Sequence, residues 1–168
     1  MPALTGRDKW YNLTKILRDA VAAGLSTQPD RVSIVPGVIA WDACDCGALY
    51  LATGQTYLSE VFPNQMTTVL SDYCYPPYEV SEIIIQIMRC APVPKPPAVA
   101  PTVKSLDDSS QLVRRDAFEV MTTLASTLCP LAQDGTIEGF IIDLQMPAGP
   151  GGTCVGTETR CRVGLRRG

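Results

Sequence analysis

The residues whose types and spacing could carry chemistry are few, and they fall into two clusters and one loop. Cys44 and Cys46 stand one residue apart beside Asp42 and Asp45, and Asp72 and Cys74 form a second pair. Three thiolates from Cys44, Cys46 and Cys74 would make a zinc-type ligand set. Asp42, Asp45 and Asp72 would supply the paired carboxylates that acid–base hydrolysis uses. Neither pattern carries a diagnostic spacing: no Cys-x-x-Cys pair occurs, and opposition of carboxylates across a cleft belongs to the fold. The plainer alternatives are reduced, buried or half-buried thiols and a solvated acidic turn. Gly149-Pro150-Gly151-Gly152-Thr153-Cys154-Val155-Gly156 has the glycine density of a phosphate-binding loop. It lacks Gly-Lys-Ser/Thr and leads into an alternating run rather than a helix N-terminus, so a hairpin turn is expected there.

The chain has no histidine. That removes Ser-His-Asp and Cys-His nucleophiles, His-ligated metals and the HExxH arrangement together. No catalytic, cofactor-binding or metal-binding residue is therefore assigned. The 168 residues, 46% hydrophobic and 18% charged, are enough for one domain, 1–168, with a substantial core. An odd cysteine count of 7 leaves at least one outside any disulfide scheme within the chain. No stretch approaches the ~20 apolar residues of a membrane span. Met1-Pro2-Ala3-Leu4-Thr5-Gly6 lacks the basic start and apolar run of a signal peptide, so synthesis in a cytosol is expected.

These residues are positioned by elements that the pattern announces. Segment 1–30 reads as an N-terminal helix and turn, opened by a Thr5-x-x-Asp8 capping box and stopped at Gly24. Trp10, Leu13, Ile16, Leu17, Ala20 and Val21 form its apolar stripe. Short strands follow at Arg31–Val35 and Ala48–Thr53. Segment 56–78 reads as a long apolar loop, carrying Val61, Phe62, Met66, Val69, Leu70, Tyr73, Tyr75 and Tyr78. Val80–Cys90, apolar on both faces at Ile83–Met88, reads as a central strand buried above and below. The Pro-rich segment 91–104 is a stiff crossover into a second helix opening at Ser105-Leu106-Asp107-Asp108. Val113, Ala117, Val120, Met121, Leu124 and Leu128 form that helix's stripe, and Pro130 stops it. A strand with Phe140, Ile142, Leu144 and Met146 on one face then turns into a final strand. There Val155, Thr157, Thr159, Cys161, Val163 and Leu165 oppose Glu158, Arg160 and Arg162. The expected fold is α+β, order α-β-β-β-α-β-β: a mostly antiparallel sheet of about five strands under two amphipathic helices.

Charge is uneven along the chain. Segment 159–168 holds Arg160, Arg162, Arg166 and Arg167 with no acid, and subtracting that +4 from the net −3 leaves −7 on the rest. A basic C-terminal tail on an acidic body suits a charge-complementary contact, unless the tail is simply solvated. The apolar loop and these four arginines are the expected interface residues.

Val35-Pro36-Gly37-Val38-Ile39-Ala40-Trp41-Asp42-Ala43-Cys44-Asp45-Cys46-Gly47-Ala48-Leu49 resembles the VPG-x-IAWD-x-C-x-CGxL segment of neck proteins from tailed phages of actinobacteria. These are small head-to-tail connector proteins, often labelled tail terminators. The similarity continues through Phe62-Pro63, Ile87-Met88-Arg89-Cys90-Ala91-Pro92-Val93-Pro94 and Gly151-Gly152-Thr153-Cys154-Val155-Gly156, in the same order from Arg31 to Leu165. The resemblance implies a virion protein with a tail-terminator-like α+β fold, in a ring of six copies on a long non-contractile tail. Such a ring caps the tube of major tail protein, stops its polymerisation and joins it to the head-completion connector. DNA would pass through the bore without sequence-specific binding, and no cofactor, catalytic residue or membrane is implied. Assembly would take place in the host cytoplasm. A ring contact is heterologous, which the uneven charge suits, and a bore that lets DNA slide needs the arginines to face protein. Two alternatives stand beside this: the stopper or adaptor ring of the same connector, and a small metal-binding module built on Cys44, Cys46 and Cys74.

Overall fold

The computed structural model describes residues 4–37, 47–67, 76–94 and 99–167. Seven elements follow one another: α1 (Lys9–Gly24), β1 (Arg31–Ile34), β2 (Ala48–Ser59), β3 (Tyr78–Cys90), α2 (Val103–Gln133), β4 (Gly139–Gly151) and β5 (Cys154–Arg166). The strands form one sheet in the order β1-β2-β3-β5-β4. Only β1 and β2 run parallel; the other three pairings are antiparallel. The fold is α+β in the expected element order.

Side-chain alternation divides the sheet into two unlike faces. On one face Leu49, Leu51, Ile83, Ile85, Ile87, Cys161, Val163 and Leu165 meet Leu13, Leu17 and Val21 of α1 and Val120, Leu124 and Leu128 of α2, all at most 1% exposed. Both helices therefore lie on the same side, α1 over β1 and β2, α2 over β5 and β4. Gly24, at the end of α1, sits so close to α2 that a Cβ there would fall 2.3 Å from Thr123 Oγ1. Glycine is required at that point for close helix approach, since α1 ends without a left-handed residue.

Several local expectations are corrected. The Thr5 capping box does not form: Gly6 turns the chain with φ 78°, and the N-cap is Asp8, whose side chain makes no capping bond. α2 starts at Val103, because Thr102 Oγ1 accepts from the Ser105 N–H at 3.1 Å, and it continues past Pro130 to Gln133. Pro130 costs the helix one N–H but sits in its last turns, where the chain tolerates the loss. Leu144 and Met146 do not share a face with Phe140 and Ile142. A register shift at Asp143 places Leu144 opposite Arg160 and Met146 opposite Glu158, on the open side of the sheet. The Gly-rich stretch is mostly strand; the hairpin turn itself is Gly152-Thr153, with Gly152 at φ 60°. β3 is the middle strand as expected, but only its Ile83, Ile85 and Ile87 face lies under helices. On the other face Gln86 and Met88 are buried and Glu82 and Ile84 half-buried.

Candidate interaction surfaces

Residues 159–166 are not a tail. They belong to β5, paired with β3 throughout and with β4 as far as Gly164. Arg160 and Arg162 point to the open face, and both meet acids of their own sheet. Arg162 holds Asp143 through two bonds, Nε to Oδ2 at 2.5 Å and NH2 to Oδ1 at 2.6 Å. Arg160 Nε donates to Glu158 at 2.6 Å, and its NH1 lies 3.7 Å from Glu82. The bond to Glu158 raises the pKa of Arg160 and the bonds to Asp143 raise that of Arg162, fixing both as cations. Gln86 donates to Glu158 from β3, closing a ladder of interleaved signs across the open face. A polar depression beside it is lined by Gln55, Tyr57, Gln65, Glu82, Asp143 and Arg162. Two carboxylates meet there, but the arginines take up their charge, and the arrangement reads as a structural network. Arg166 and Arg167 are exposed, and the Arg167 N–H donates to Pro77 C=O at 3.0 Å.

The expected apolar loop divides in the same way. Tyr57 and Leu58 belong to β2, and Tyr78 begins β3. Phe62 folds back over the open face: a Cβ on Gly164 would lie 2.7 Å from its ring, and one on Gly139 3.3 Å. Beneath the turn Val80, opposite Tyr57 and Gly164, is fully buried. Tyr57 Oη donates to Pro63 C=O at 2.7 Å, and the Met66 N–H donates to Leu58 C=O at 3.0 Å, pinning the turn from both sides. Phe62 and Met66 are thus half-buried against their own chain, while Val61 is 65% exposed. Val69, Leu70, Tyr73 and Tyr75 lie outside the described residues, as do Asp42, Cys44, Asp45, Cys46, Asp72 and Cys74. Among the described residues no group of three or more Cys, Asp or Glu side chains is placed to hold a metal ion. No described helix is long and apolar enough to cross a membrane.

An uncovered apolar surface lies where no site was expected. α2 has 31 residues, about 46 Å of helix, yet its buried positions begin only at Asp116. Along its outer flank two depressions share Val113, Arg114 and Pro147 and so make one trough between α2 and the edge strand β4. Phe118 (70% exposed), Leu106 (50%) and Met121 (42%) line it. Apolar side chains gathered in this way on a folded body mark a contact surface. Part of the signal was in the sequence: Phe118 is a large apolar residue lying off the buried stripe of its helix, while Leu106 stands in line with that stripe but ahead of its first buried residue, Asp116. Only the position of β4 turns that offset into a trough.

One buried ion pair fixes this geometry. Arg89 of β3 binds Asp116 of α2 through Nε to Oδ2 at 2.8 Å and NH2 to Oδ1 at 2.9 Å, with side chains 3% and 1% exposed. The same NH2 donates to Thr27 C=O at 2.7 Å, tying in the turn between α1 and β1. Neither residue was singled out from sequence, because a pair 27 positions apart leaves no periodic trace.

No protein-family model matches the chain, and no curated protein matches it.

Proposed function

We propose that this chain is a structural subunit of a phage neck: a tail terminator whose copies form a ring, six by the family resemblance, capping the tail tube and joining it to the head connector. The observation that supports this reading best is the trough between α2 and β4. A ring subunit must offer unlike surfaces to its two neighbours. The trough lies at one edge of the sheet, and at the other edge Val32 of β1 and Tyr11 of α1 are 39% and 54% exposed. β1 and β4 run in opposite directions, so adjacent copies set edge to edge bring one strand antiparallel to the other. Pro147 and Pro150 interrupt the hydrogen-bonding edge of β4, which directs the contact to side chains rather than to an added strand. The resemblance of Val35–Leu49 to connector proteins supplies the second support. The internal pairing of Arg160 and Arg162 suits a bore through which DNA slides without being gripped. The role assigns no catalytic residue, cofactor or metal.

The test joins assembly to phenotype. Purified protein is expected to form a closed ring by native mass spectrometry. Phe118→Asp, at an exposed position, abolishes the ring while leaving the thermal midpoint of the monomer within about 2 °C. Deleting the coding sequence from the genome that carries it gives overlong tails. Normal tails on heads that leak DNA would assign the ring to the stopper position instead. Unaltered virions, or a wild-type chain that stays monomeric with and without tail tubes, would end the proposal.

A further inference from the structure

β3 ends at Cys90 and β5 begins at Cys154, and the register sets these two residues directly opposite one another. The Ala91 N–H donates to Thr153 C=O at 2.7 Å. That bond flanks the pair on one side and makes 90/154 a narrow, non-hydrogen-bonded position, where facing side chains share a face and stand closest. Facing α-carbons at such positions are about 4.5 Å apart, inside the range of roughly 4.4–6.8 Å that disulfides span. No register shift interrupts the β3–β5 ladder, so the opposition holds along the whole pairing. Exposure is split between the partners: Cys90 is exposed and Cys154 is 2% exposed. Cys90 is thus the residue of the pair that reagents in solution reach first.

The other described cysteines are placed differently. Cys161 is fully buried on the helix-covered face, and burial, with the charges of Asp143 and Glu82, pushes its thiol up to about 12. Cys129 is exposed near the C-terminal end of α2, away from the 90/154 end of the sheet.

We infer that Cys90 and Cys154 are a modification site, closing to a cross-strand disulfide when the protein meets a small disulfide oxidant such as oxidised glutathione. Cys90 thiolate attacks one sulfur of the oxidant, breaking its S–S bond; a mixed disulfide forms, and the released glutathione thiolate takes up a proton. Cys154, giving its proton to solvent, then attacks the Cys90 sulfur and expels the second glutathione. Two protein thiols are oxidised and one small disulfide is reduced to two thiols. The bond staples the end of the sheet where the chain departs for α2, beside Pro150 and Val155, which line one end of the trough. A reducing cytosol keeps the site open and an oxidising exterior closes it. This holds whether or not the chain builds a ring.

The experiment treats the full native chain with oxidised glutathione, blocks remaining thiols with N-ethylmaleimide, and maps peptides by mass spectrometry without reduction. The expected product is a linked pair of peptides carrying Cys90 and Cys154, two hydrogens lighter than their sum. It raises the thermal midpoint by roughly 10 °C, and dithiothreitol reverses the rise. Cys90→Ser and Cys154→Ser each lose the link; Cys129→Ser keeps it. Glutathione remaining on Cys90 with Cys154 still open to blocking after denaturation would overturn the inference, as would a link from either residue to any other cysteine.

Discussion

Arg89 and Asp116 set the position of α2 on the sheet. A fully buried guanidinium is tolerated only when its charge and donors are met, and here Asp116 and the Thr27 carbonyl meet them. Removing one partner strands the other. Asp116→Ala is therefore expected to cost about 4 kcal/mol, read from the urea midpoint at constant slope. Replacing both residues with apolar ones of similar size, Arg89→Met with Asp116→Leu, recovers most of that loss, since burial of the pair is itself expensive. A loss below ~1 kcal/mol in the single variant would show that water reaches the guanidinium and that the pair does not hold the helix.

Between α1 and the sheet the anchor is ionic at one end and apolar along the rest. Glu79 of β3 accepts from the Trp10 indole N–H, and Lys9 Nζ lies 3.1 Å from its other oxygen. Burial pushes the Glu79 carboxyl up, but those hydrogen bonds and the charges of Lys9 and Arg167 outweigh it and hold the group below the usual carboxylate range. A carboxyl depressed in the folded state stabilises above its unfolded pKa, and that contribution is lost as pH falls through the folded value. The stability gap between the wild type and Glu79→Gln, followed by thermal unfolding across pH, is thus widest near neutrality and closes as pH falls through the depressed folded value. An unchanged gap would assign the anchor to Trp10 packing alone. The stripes of α1 and α2 and the alternation of β5 were legible because burial on one side imposes a period on neighbouring residues. The bulge at Asp143 was not, since one extra residue reverses the facing of Leu144 and Met146 without altering composition. The arginines of β5 were read as a free basic end because their partners Asp143 and Glu82 come from other strands, a relation that only register supplies. Of the trough on α2 the sequence showed only the offset of Phe118, and the wall supplied by β4 was hidden for the same reason.

At the scale of the whole molecule, charge and apolar surface are separated. The open sheet face carries ion pairs satisfied within the chain, with Leu144 and Met146 exposed only along its β4 edge, and the α2–β4 trough carries the exposed hydrocarbon of Leu106, Phe118 and Met121. A ring built on the second surface depends weakly on ionic strength. Assembly is expected to persist, or to strengthen, between low salt and about 0.5 M sodium chloride, where exposed charges more than a few ångströms apart are screened. Dissociation over that range, followed by analytical ultracentrifugation, would move the contact to Arg166 and Arg167. The same architecture has a practical corollary. α1 begins at Lys9 and Trp10, which grip Glu79, and β5 ends at Arg166, with Arg167 bonded to Pro77 just beyond it, so both strand and helix ends meet at one corner of the sheet. The Gly152 turn and the first half of α2 lie at the opposite corner. An affinity handle or fluorescent domain fused ahead of α1 or behind β5 would project from that shared corner, leaving the hydrocarbon flank unobstructed for imaging of labelled assemblies.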